Sequence, residues 1–335
     1  MICRIIEKII RKESYRMYSL TKNQQTEETL SKMVDKFFKP LKMESYKELT
    51  EGYFNIAYEI RLNDNKEIIL KIAPLKETRV MTYEKNIMYS EVESMKTAKK
   101  AVGIPLPDVL GYDDTCTICE SPYFFMEKLS GESLNAIKST LSSQQITNIN
   151  IEFGKINRKI NEIKCPCFGY PGNPELQGEE WYSTFLKIME ACLLDAQNGN
   201  VNLKISIPTL MDYLKKDKPI FDEITEPRLV HWDCWDGNIF VKDALITGII
   251  DWERSIWGDP LLEVGFRTYS DNTYFQKGYN IGVMTANQLR RALWYDIYFL
   301  ITASCEGEYR KYDTTDMYDW ASQLLEEQFK KLINE

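Results

Sequence analysis

The sequence predicts an α+β protein with two lobes, a small one built around a sheet and a larger one that is mainly helical. Short alternating apolar and polar runs at 53–60 and 67–72 are typical of two antiparallel strands, and the polar turn at 63–65 joins them. From residue 134 onward, apolar residues recur at helical spacing instead. This change of period places the boundary between the lobes near residues 128–132.

The remaining elements follow from the same patterns. An amphipathic helix at 27–39 ends at Pro40, and a second helix at about 80–101 separates the first two strands from two more, at 107–114 and 121–128. These strands give one sheet of about five strands with one helix beside it. The second lobe has four stretches of helical periodicity, at 134–162, 178–197, 206–223 and 284–334.

Charge and composition exclude several classes of protein. The chain has 335 residues, of which 44% are hydrophobic and 27% charged, close to the averages of soluble globular proteins. A net charge of −8 argues against a nucleic-acid-binding protein, which normally presents a basic face to phosphates. Because no apolar run approaches the roughly 18–20 residues that cross a bilayer, we expect no transmembrane segment.

Two segments leave alternatives open. The N-terminal sequence MICRIIEKIIRK fits a helix packed on the first lobe, a membrane-surface helix, or an extension upstream of initiation at Met17. The eight cysteines lack an export signal, so we expect reduced thiols and a cytoplasmic protein. Four of these cysteines could nevertheless supply thiolates to zinc: Cys116 and Cys119, and Cys165 and Cys167.

The densest group of chemically active side chains lies between residues 229 and 251. Asp233 and Asn238 precede a short apolar strand, and a second strand at 245–250 ends directly in Asp251. If these strands pair as a hairpin, Asn238 and Asp251 lie close together. An amide oxygen and a carboxylate suit Mg²⁺, which prefers hard oxygen ligands. Asp233 could then face a substrate hydroxyl as a base or an orienting group.

These residues carry a resemblance to a known family. The pattern His-x-Asp-x-x-x-x-Asn followed by Ile-Ile-Asp resembles the catalytic loop and the metal-binding aspartate of the aminoglycoside phosphotransferase and choline kinase-like families. The resemblance spans about residues 45–325 and implies a protein-kinase-like fold. It implies that Asp233 is the catalytic carboxylate and that Asn238 and Asp251 hold Mg²⁺. His231 would be a packing and hydrogen-bonding residue behind the loop.

The resemblance also implies an ATP site whose phosphates are held by a lysine. Lys71, in the strand Ile-Leu-Lys-Ile, is suitably placed to bind the α- and β-phosphates. An acidic residue on the following helix should orient this lysine, and Glu91 resembles the family position. Glu93, two residues further on, would point to another face of the helix and is the alternative.

Two further segments are implied to contact the nucleotide. The turn that includes Gly52, Tyr53 and Asn55 resembles the family's short phosphate-covering turn, which presents backbone N–H groups to the phosphates. The segment 124–132 resembles the hinge between the lobes. Its backbone groups near Glu127 and Leu129 would meet the adenine ring.

The resemblance divides the chain into three parts. These are an N-terminal helical extension (1–40), a nucleotide-binding N-lobe (41–129) and a C-lobe (130–335) with the catalytic loop and the acceptor site. Trp257-Gly258-Asp259-Pro260 follows Asp251 almost at once, which leaves no room for the activation loop of a protein kinase. We therefore expect a small-molecule acceptor rather than a protein.

The sequence thus predicts a cytoplasmic, Mg²⁺- and ATP-dependent O-phosphotransferase. Fourteen acidic and nine basic side chains follow from Asp251 to the C-terminus. An acidic wall there, including Glu306 and Glu308, would favour an amine-bearing acceptor of the aminoglycoside kind, and with it antibiotic resistance. A solvated acidic face is the alternative. A metabolic kinase for choline, a sugar or an amino alcohol, and a nucleotide-binding regulator without turnover, are also left open.

Overall fold

The structure, a computed structural model, describes residues 23–49 and 54–334 and has the predicted α+β architecture. Its smaller lobe contains a five-stranded antiparallel sheet in the order β1-β2-β3-β5-β4. The predicted N-terminal helix, Gly52 and Tyr53 lie outside the described residues. The elements of this lobe are α1 (Glu27–Phe38), β1 (Met43–Leu49), β2 (Ile56–Leu62), β3 (Glu67–Ile72), α2 (Ile87–Lys99), β4 (Val109–Asp113) and β5 (Tyr123–Glu127).

Helix α1 covers one face of the sheet. It begins at a Thr26 cap, whose hydroxyl accepts the N–H of Thr29 at 3.2 Å. Its apolar stripe is completely buried against side chains of β2, β3 and β5: Leu30, Met33 and Val34. In β3, Leu70 belongs to this buried face. Because neighbouring residues of a strand point to opposite faces, Lys71 faces away from α1, toward α2.

Helix α2 starts later than the periodicity predicts. The expected helix at 80–101 begins only at Ile87, because Asn86 adopts a left-handed conformation with φ of 52°. Before it, Thr82–Glu84 form a separate 3₁₀ turn. The backbone N–H and the hydroxyl of Thr82 both donate to Asp195 in the larger lobe, at 2.7 and 2.8 Å. The approach to α2 is therefore fixed from the other lobe.

The larger lobe is mainly helical, and three of its predicted helices are divided. Ser142 and Gln145 form a capping box that starts a new helix within 134–162. Lys311, with φ of 54°, ends the helix within 284–334. The helices are α3 (Leu134–Ile137), α4 (Ser143–Asn161), α5 (Trp181–Asn198), α6 (Ile207–Lys216), α7 (Lys218–Phe221), α8 (Thr273–Tyr279), α9 (Ala286–Arg310) and α10 (Asp316–Asn334). Among the described residues, no helix has the length and apolarity to cross a membrane.

Two small sheets complete the larger lobe, and Asn238 and Asp251 lie just beyond the ends of two of their strands. One has the order β11-β10-β6 and the other β8-β7-β12-β9. The antiparallel pairing of β10 with β11 confirms the predicted hairpin. The strands are β6 (Glu132–Ser133), β7 (Phe168–Gly169), β8 (Gln177–Gly178), β9 (Arg228–Val230), β10 (Ile239–Lys242), β11 (Leu245–Ile249) and β12 (Ile256–Gly258).

Aromatic side chains fill the core between α5 and α9. Trp181, Tyr295 and Tyr298 are almost completely buried, and Trp181 Nε1 donates to the Tyr295 hydroxyl at 2.7 Å. That hydroxyl donates in turn to Asp259 at 2.8 Å. These aromatic residues serve packing, because large buried rings with satisfied polar atoms contribute most to a core.

Helices α4 and α8 approach each other so closely that glycine is needed on both sides. A Cβ atom on Gly154 would overlap the carbonyl oxygen of Phe275, and one on Gly278 would overlap that of Ile151. The obstructing atoms belong to the backbone and cannot move aside by a rotamer change. We therefore expect this contact to tolerate no side chain.

We expect Gly154→Ala to lower the free energy of unfolding by about 1–3 kcal/mol, because the two helices must separate. Gly307→Ala is the matched control, since Gly307 lies inside α9 with no restricting atom nearer than 3.9 Å. It should raise stability by about 0.5–1 kcal/mol, the usual gain in a helix interior. Urea unfolding measures both values. Two changes of the same sign would contradict the packing described.

Candidate active site

A lysine and a glutamate meet between β3 and α2. Lys71 Nζ lies 2.6 Å from Glu91 Oε1 and 2.9 Å from Oε2, and both residues are buried. Burial raises the pKa of Glu91 to about 6, and the charge of Lys71 opposes that rise. Glu93, the alternative partner, lines a surface cleft next to Lys96 instead. The structure therefore brings Lys71 together with Glu91.

The same lysine reaches a carboxylate of the larger lobe. Lys71 Nζ lies 2.7 Å from Oδ1 of Asp251, which follows β11 and has a left-handed backbone with φ of 66°. Burial acts to lower the pKa of Lys71, but Asp251 and Glu91 raise it above its usual value. Desolvation acts to raise the pKa of Asp251, and Lys71 holds it below its usual value. Both groups are therefore charged at neutral pH.

The hairpin places Asn238 beside Asp251. The backbone N–H of Ile250 donates to the carbonyl of Asn238 at 3.0 Å, and Asn238 Nδ2 donates to the carbonyl of Asp233 at 2.8 Å. Since the amide nitrogen is engaged, Asn238 Oδ1 is the atom left to bind a cation. This oxygen and the Asp251 carboxylate form the kind of hard donor set that Mg²⁺ prefers. The residues therefore fit the metal.

The segment 231–238, between β9 and β10, is held in place by its own His231 and by Glu263. The ring of His231 is fully buried, with Nε2 3.1 Å from the carbonyl oxygen of Ile250. Burial lowers the pKa of His231 to about 4, so the ring is neutral. The Glu263 carboxylate accepts the backbone N–H groups of His231 and Trp232, at 2.9 and 3.1 Å. These bonds hold the backbone at Trp232, whose φ is 69°.

Asp233 lies in this segment with its side chain 22% exposed. Desolvation raises the pKa of Asp233 to about 6, against the opposing effect of Arg254. Arg254 Nε lies 3.6 Å from Asp233 Oδ2. Sequence reasoning missed this arginine, although it is the first basic residue after Asp251. That short spacing was the available signal.

Arg254 also bonds to Glu306, one of the two glutamates expected in the acidic wall. Glu306 is only 5% exposed and pairs with Arg254 and with Arg310 of the same helix. Burial acts to raise the pKa of Glu306, but Arg254 and Arg310 lower it. The expectation that Glu306 faces the acceptor is therefore wrong, because its charge is neutralised inside the protein. Glu308 is partly exposed and pairs with Lys311 at 2.8 Å.

Asn55 contacts a carboxylate next to the site. Its Nδ2 donates to Glu253 Oε2 at 2.7 Å, so the residue just before β2 is bound to the larger lobe. Burial and the charge of Asp251 raise the pKa of Glu253 to about 8. Glu253, Glu91 and Asp251 are the only group of three or more His, Cys, Asp or Glu side chains in 23–49 and 54–334 close enough to share a metal. The four cysteines of the zinc hypothesis do not form such a group in this part of the chain.

The hinge residues lie where β5 leaves the sheet. The backbone N–H of Glu127 donates to the Asp108 carbonyl at 3.0 Å, and its side chain accepts the Asp108 N–H at 3.1 Å. Leu129 lies against Gly248 of β11, where a Cβ atom would overlap the leucine side chain. The Glu127 N–H is thus engaged within the smaller lobe, and Leu129 lies nearer the larger one.

Known proteins resemble this chain in sequence. Residues 45–279 match the sequence model described as the phosphotransferase enzyme family, APH. A stretch of 125 residues is 29% identical to subtelomeric hrmA-associated cluster proteins from two strains of Aspergillus fumigatus. The match covers 36% of this chain and 23% of theirs, so it spans less than a quarter of the length of these relatives.

Solved structures share the fold. A thermostable mutant of aminoglycoside phosphotransferase APH(4)-Ia with ADP and hygromycin B superposes with a TM-score of 0.63 at 15% identity, over 90% of this chain and 98% of that one. A putative aminoglycoside phosphotransferase from Ralstonia eutropha gives 0.61 at 13%, over 91% and 96%. The gentamicin complex of APH(2″)-IIa gives 0.60 at 14%, over 90% and 96%.

At these identities the likeness establishes a common two-lobed, protein-kinase-like fold. The family model is the stronger finding, because its match from 45 to 279 covers more than half of the chain and includes both β3, which carries Lys71, and the β10–β11 hairpin. This chain therefore belongs to the phosphotransferase enzyme family.

Proposed function

We propose that this protein transfers the γ-phosphate of ATP to a hydroxyl group of a small molecule. The observation that carries the proposal is the meeting of Lys71 and Glu91 with Asp251 in one cleft, next to the segment that bears Asn238 and Asp233. Phosphoryl transfer needs positioning and charge neutralisation more than covalent catalysis, and these groups supply both.

Each residue has a role that its surroundings support. Lys71 would neutralise the α- and β-phosphates while Glu91 keeps its ammonium group in place. Asn238 and Asp251 would hold Mg²⁺, which supplies neutralisation of the phosphoryl oxygens when bound. The acceptor oxygen bonds to the γ-phosphorus as the bond to the β–γ bridging oxygen breaks and ADP leaves. Asp233 orients the attacking hydroxyl and takes its proton.

We expect Asp233→Asn to lower kcat at least ~10²-fold, the lower end of general-base contributions, with little change in the affinity for Mg²⁺-bound ATP. Asp236→Asn is a matched control, because Asp236 lies on the same segment and pairs with Lys138 outside the proposed chemistry. Its kcat should stay within a few-fold of wild type. Steady-state ADP release measures both, and an Asp233→Asn variant as active as the control would remove Asp233 from the mechanism.

The two metal ligands should differ in strength. Asp251 carries a formal negative charge and Asn238 only a dipole, so Asp251→Ala should weaken Mg²⁺-dependent nucleotide binding more than Asn238→Ala. Calorimetric titration of ATP with and without Mg²⁺ measures the difference. Affinities that are equal and independent of metal in both variants would contradict these roles.

For the acceptor, we propose an amine-bearing hydroxyl compound of the aminoglycoside kind. The surplus of acidic residues after Asp251 supports this class even though Glu306 is engaged internally, because Asp313 and Asp316 are exposed before and at the start of α10. Two of the structurally similar enzymes are bound to hygromycin B and gentamicin. Choline, a sugar or an amino alcohol is the competing acceptor class.

The KM of such an acceptor should rise with ionic strength, since salt screens exposed charges. Joint Asp313→Asn and Asp316→Asn changes should raise it further. Glu44→Gln with Glu120→Gln is the control, because it removes the same charge from exposed positions of the smaller lobe. ADP-release kinetics with gentamicin at several salt concentrations measure this. Efficient turnover of a neutral sugar with a salt-independent KM would contradict the proposed acceptor class.

A further inference from the structure

Four buried charges of alternating sign connect the two lobes behind the site. Arg310 Nη2 lies 2.8 Å from Glu84 Oε1, and Arg310 Nη1 lies 4.0 Å from Glu306 Oε2. Glu306 bonds to Arg254, whose Nε faces Asp233 at 3.6 Å. The four members of this chain of charges, which we call the α9 charge relay, are each at most 6% exposed: Glu84, Arg310, Glu306 and Arg254.

Stability alone is a poor explanation for the relay. Removing charges from water is costly, and well-packed apolar residues often replace a buried ion pair without loss of stability. The ends of the relay also coincide with the two halves of the proposed site. Glu84 lies just before α2, which carries Glu91, and Arg254 touches Asp233. The relay thus runs from the residues just before α2, the helix that carries Glu91, to the proposed base Asp233.

At the first end, the approach to α2 is fixed by the larger lobe. Glu84 Oε2 accepts the N–H of Met81 at 2.9 Å and closes the 3₁₀ turn, while Oε1 binds Arg310. Asn86 Nδ2 donates to the Gly172 carbonyl at 3.0 Å, and the Gly172 N–H donates to Ser90 Oγ at 2.9 Å. The position of α2, and so of Glu91, depends on these contacts.

At the other end, Glu306 holds Arg254 in place. The Arg254 guanidinium lies 5.7 Å from the centre of the Trp232 ring, so it is fixed between that ring, Glu306 and Asp233. Arg310 makes one more contact, 5.1 Å from the ring centre of Phe54, which precedes Asn55 in the turn proposed to cover the phosphates. The guanidinium group of Arg310 therefore contacts residues next to both halves of the proposed site.

We propose that Arg310 is a positioning residue for both halves of the site. Through Glu84 it fixes α2 and hence the Lys71–Glu91 pair, and through Glu306 it fixes Arg254 against Asp233. The inference rests on the proposed phosphotransferase function and assigns to α9 the task of keeping the ATP-binding and base-bearing parts in register. An arginine suits this role, because its planar group can bind two carboxylates at once, whereas a lysine offers one compact charge.

Substitutions at the two ends of the relay should affect different kinetic parameters. Release of ADP with water as the acceptor gives both parameters without an identified acceptor, and gentamicin serves as a second acceptor. Glu84→Gln should mainly raise the KM for ATP, and Arg254→Gln should mainly lower kcat. Arg310→Lys should do both, by about ten-fold each, because it keeps the charge but loses the two-way contact.

Arg291→Lys is the matched control. Arg291 is on the same helix, is buried like Arg310, and its Nε lies 2.8 Å from Asp259 Oδ2. Nineteen residues separate the two arginines, or about 28 Å at 1.5 Å per residue. Arg291→Lys should lower the melting temperature yet leave kcat and KM within about two-fold. A relay that only stabilises the fold would make Arg310→Lys behave in the same way, which would overturn the inference.

Two further results are informative, a variant that does not fold and a wild-type protein without activity. If Arg310→Lys does not fold, the other variants decide, because an unchanged KM for ATP in Glu84→Gln or an unchanged kcat in Arg254→Gln would overturn it. A wild-type protein that binds ATP with Mg²⁺ but releases no ADP with water, gentamicin, choline, an amino alcohol or a sugar as the acceptor would instead contradict the proposed function itself. The two failures are therefore distinguishable.

Discussion

The site is organised around one ammonium group held between carboxylates from both lobes. Lys71 Nζ contacts Glu91 at 2.6 Å on α2 and Asp251 at 2.7 Å after β11. A buried lysine without a partner would lose its charge, so these two contacts keep Lys71 charged, as its proposed role toward ATP requires. The sheet, α2 and the hairpin must all be in register for this group to form. The contacts between the lobes hold these three elements in their relative positions.

The balance of charge around the lysine favours a cation. The site and the α9 charge relay together contain five acidic groups, Glu84, Glu91, Asp233, Asp251 and Glu306, and three basic groups, Lys71, Arg254 and Arg310. Glu253 adds little to this excess, because burial and the charge of Asp251 raise its pKa to about 8. Mg²⁺ held by Asn238 and Asp251 would complete the neutralisation and prepare the cleft for a polyanion. This electrostatic arrangement links the family membership to the proposed reaction.

Sequence reasoning succeeded where the relevant spacing was short. The β10–β11 hairpin, which brings Asn238 beside Asp251, follows from two short strands and a turn. The Lys71–Glu91 contact was implied by the family resemblance, with Glu93 as the alternative, and the structure brings Lys71 together with Glu91. Reasoning failed where partners are distant, since Arg254 and Glu306 are 52 residues apart and Arg310 and Glu84 are 226 apart. Counting charges placed Glu306 on an acidic wall, because composition cannot reveal that a charge is buried and paired.

The most direct test of the account is the identity of the phosphorylated product. Wild-type protein is incubated with Mg²⁺ and ATP in the presence of aminoglycosides, choline, amino alcohols or sugars, and the reaction is followed by phosphorus-31 NMR. The account predicts ADP and a new phosphate monoester in equal amounts with a hydroxyl-bearing, amine-containing acceptor. ATP that stays unchanged with every acceptor, although it binds, would contradict the assignment of this cleft to phosphoryl transfer.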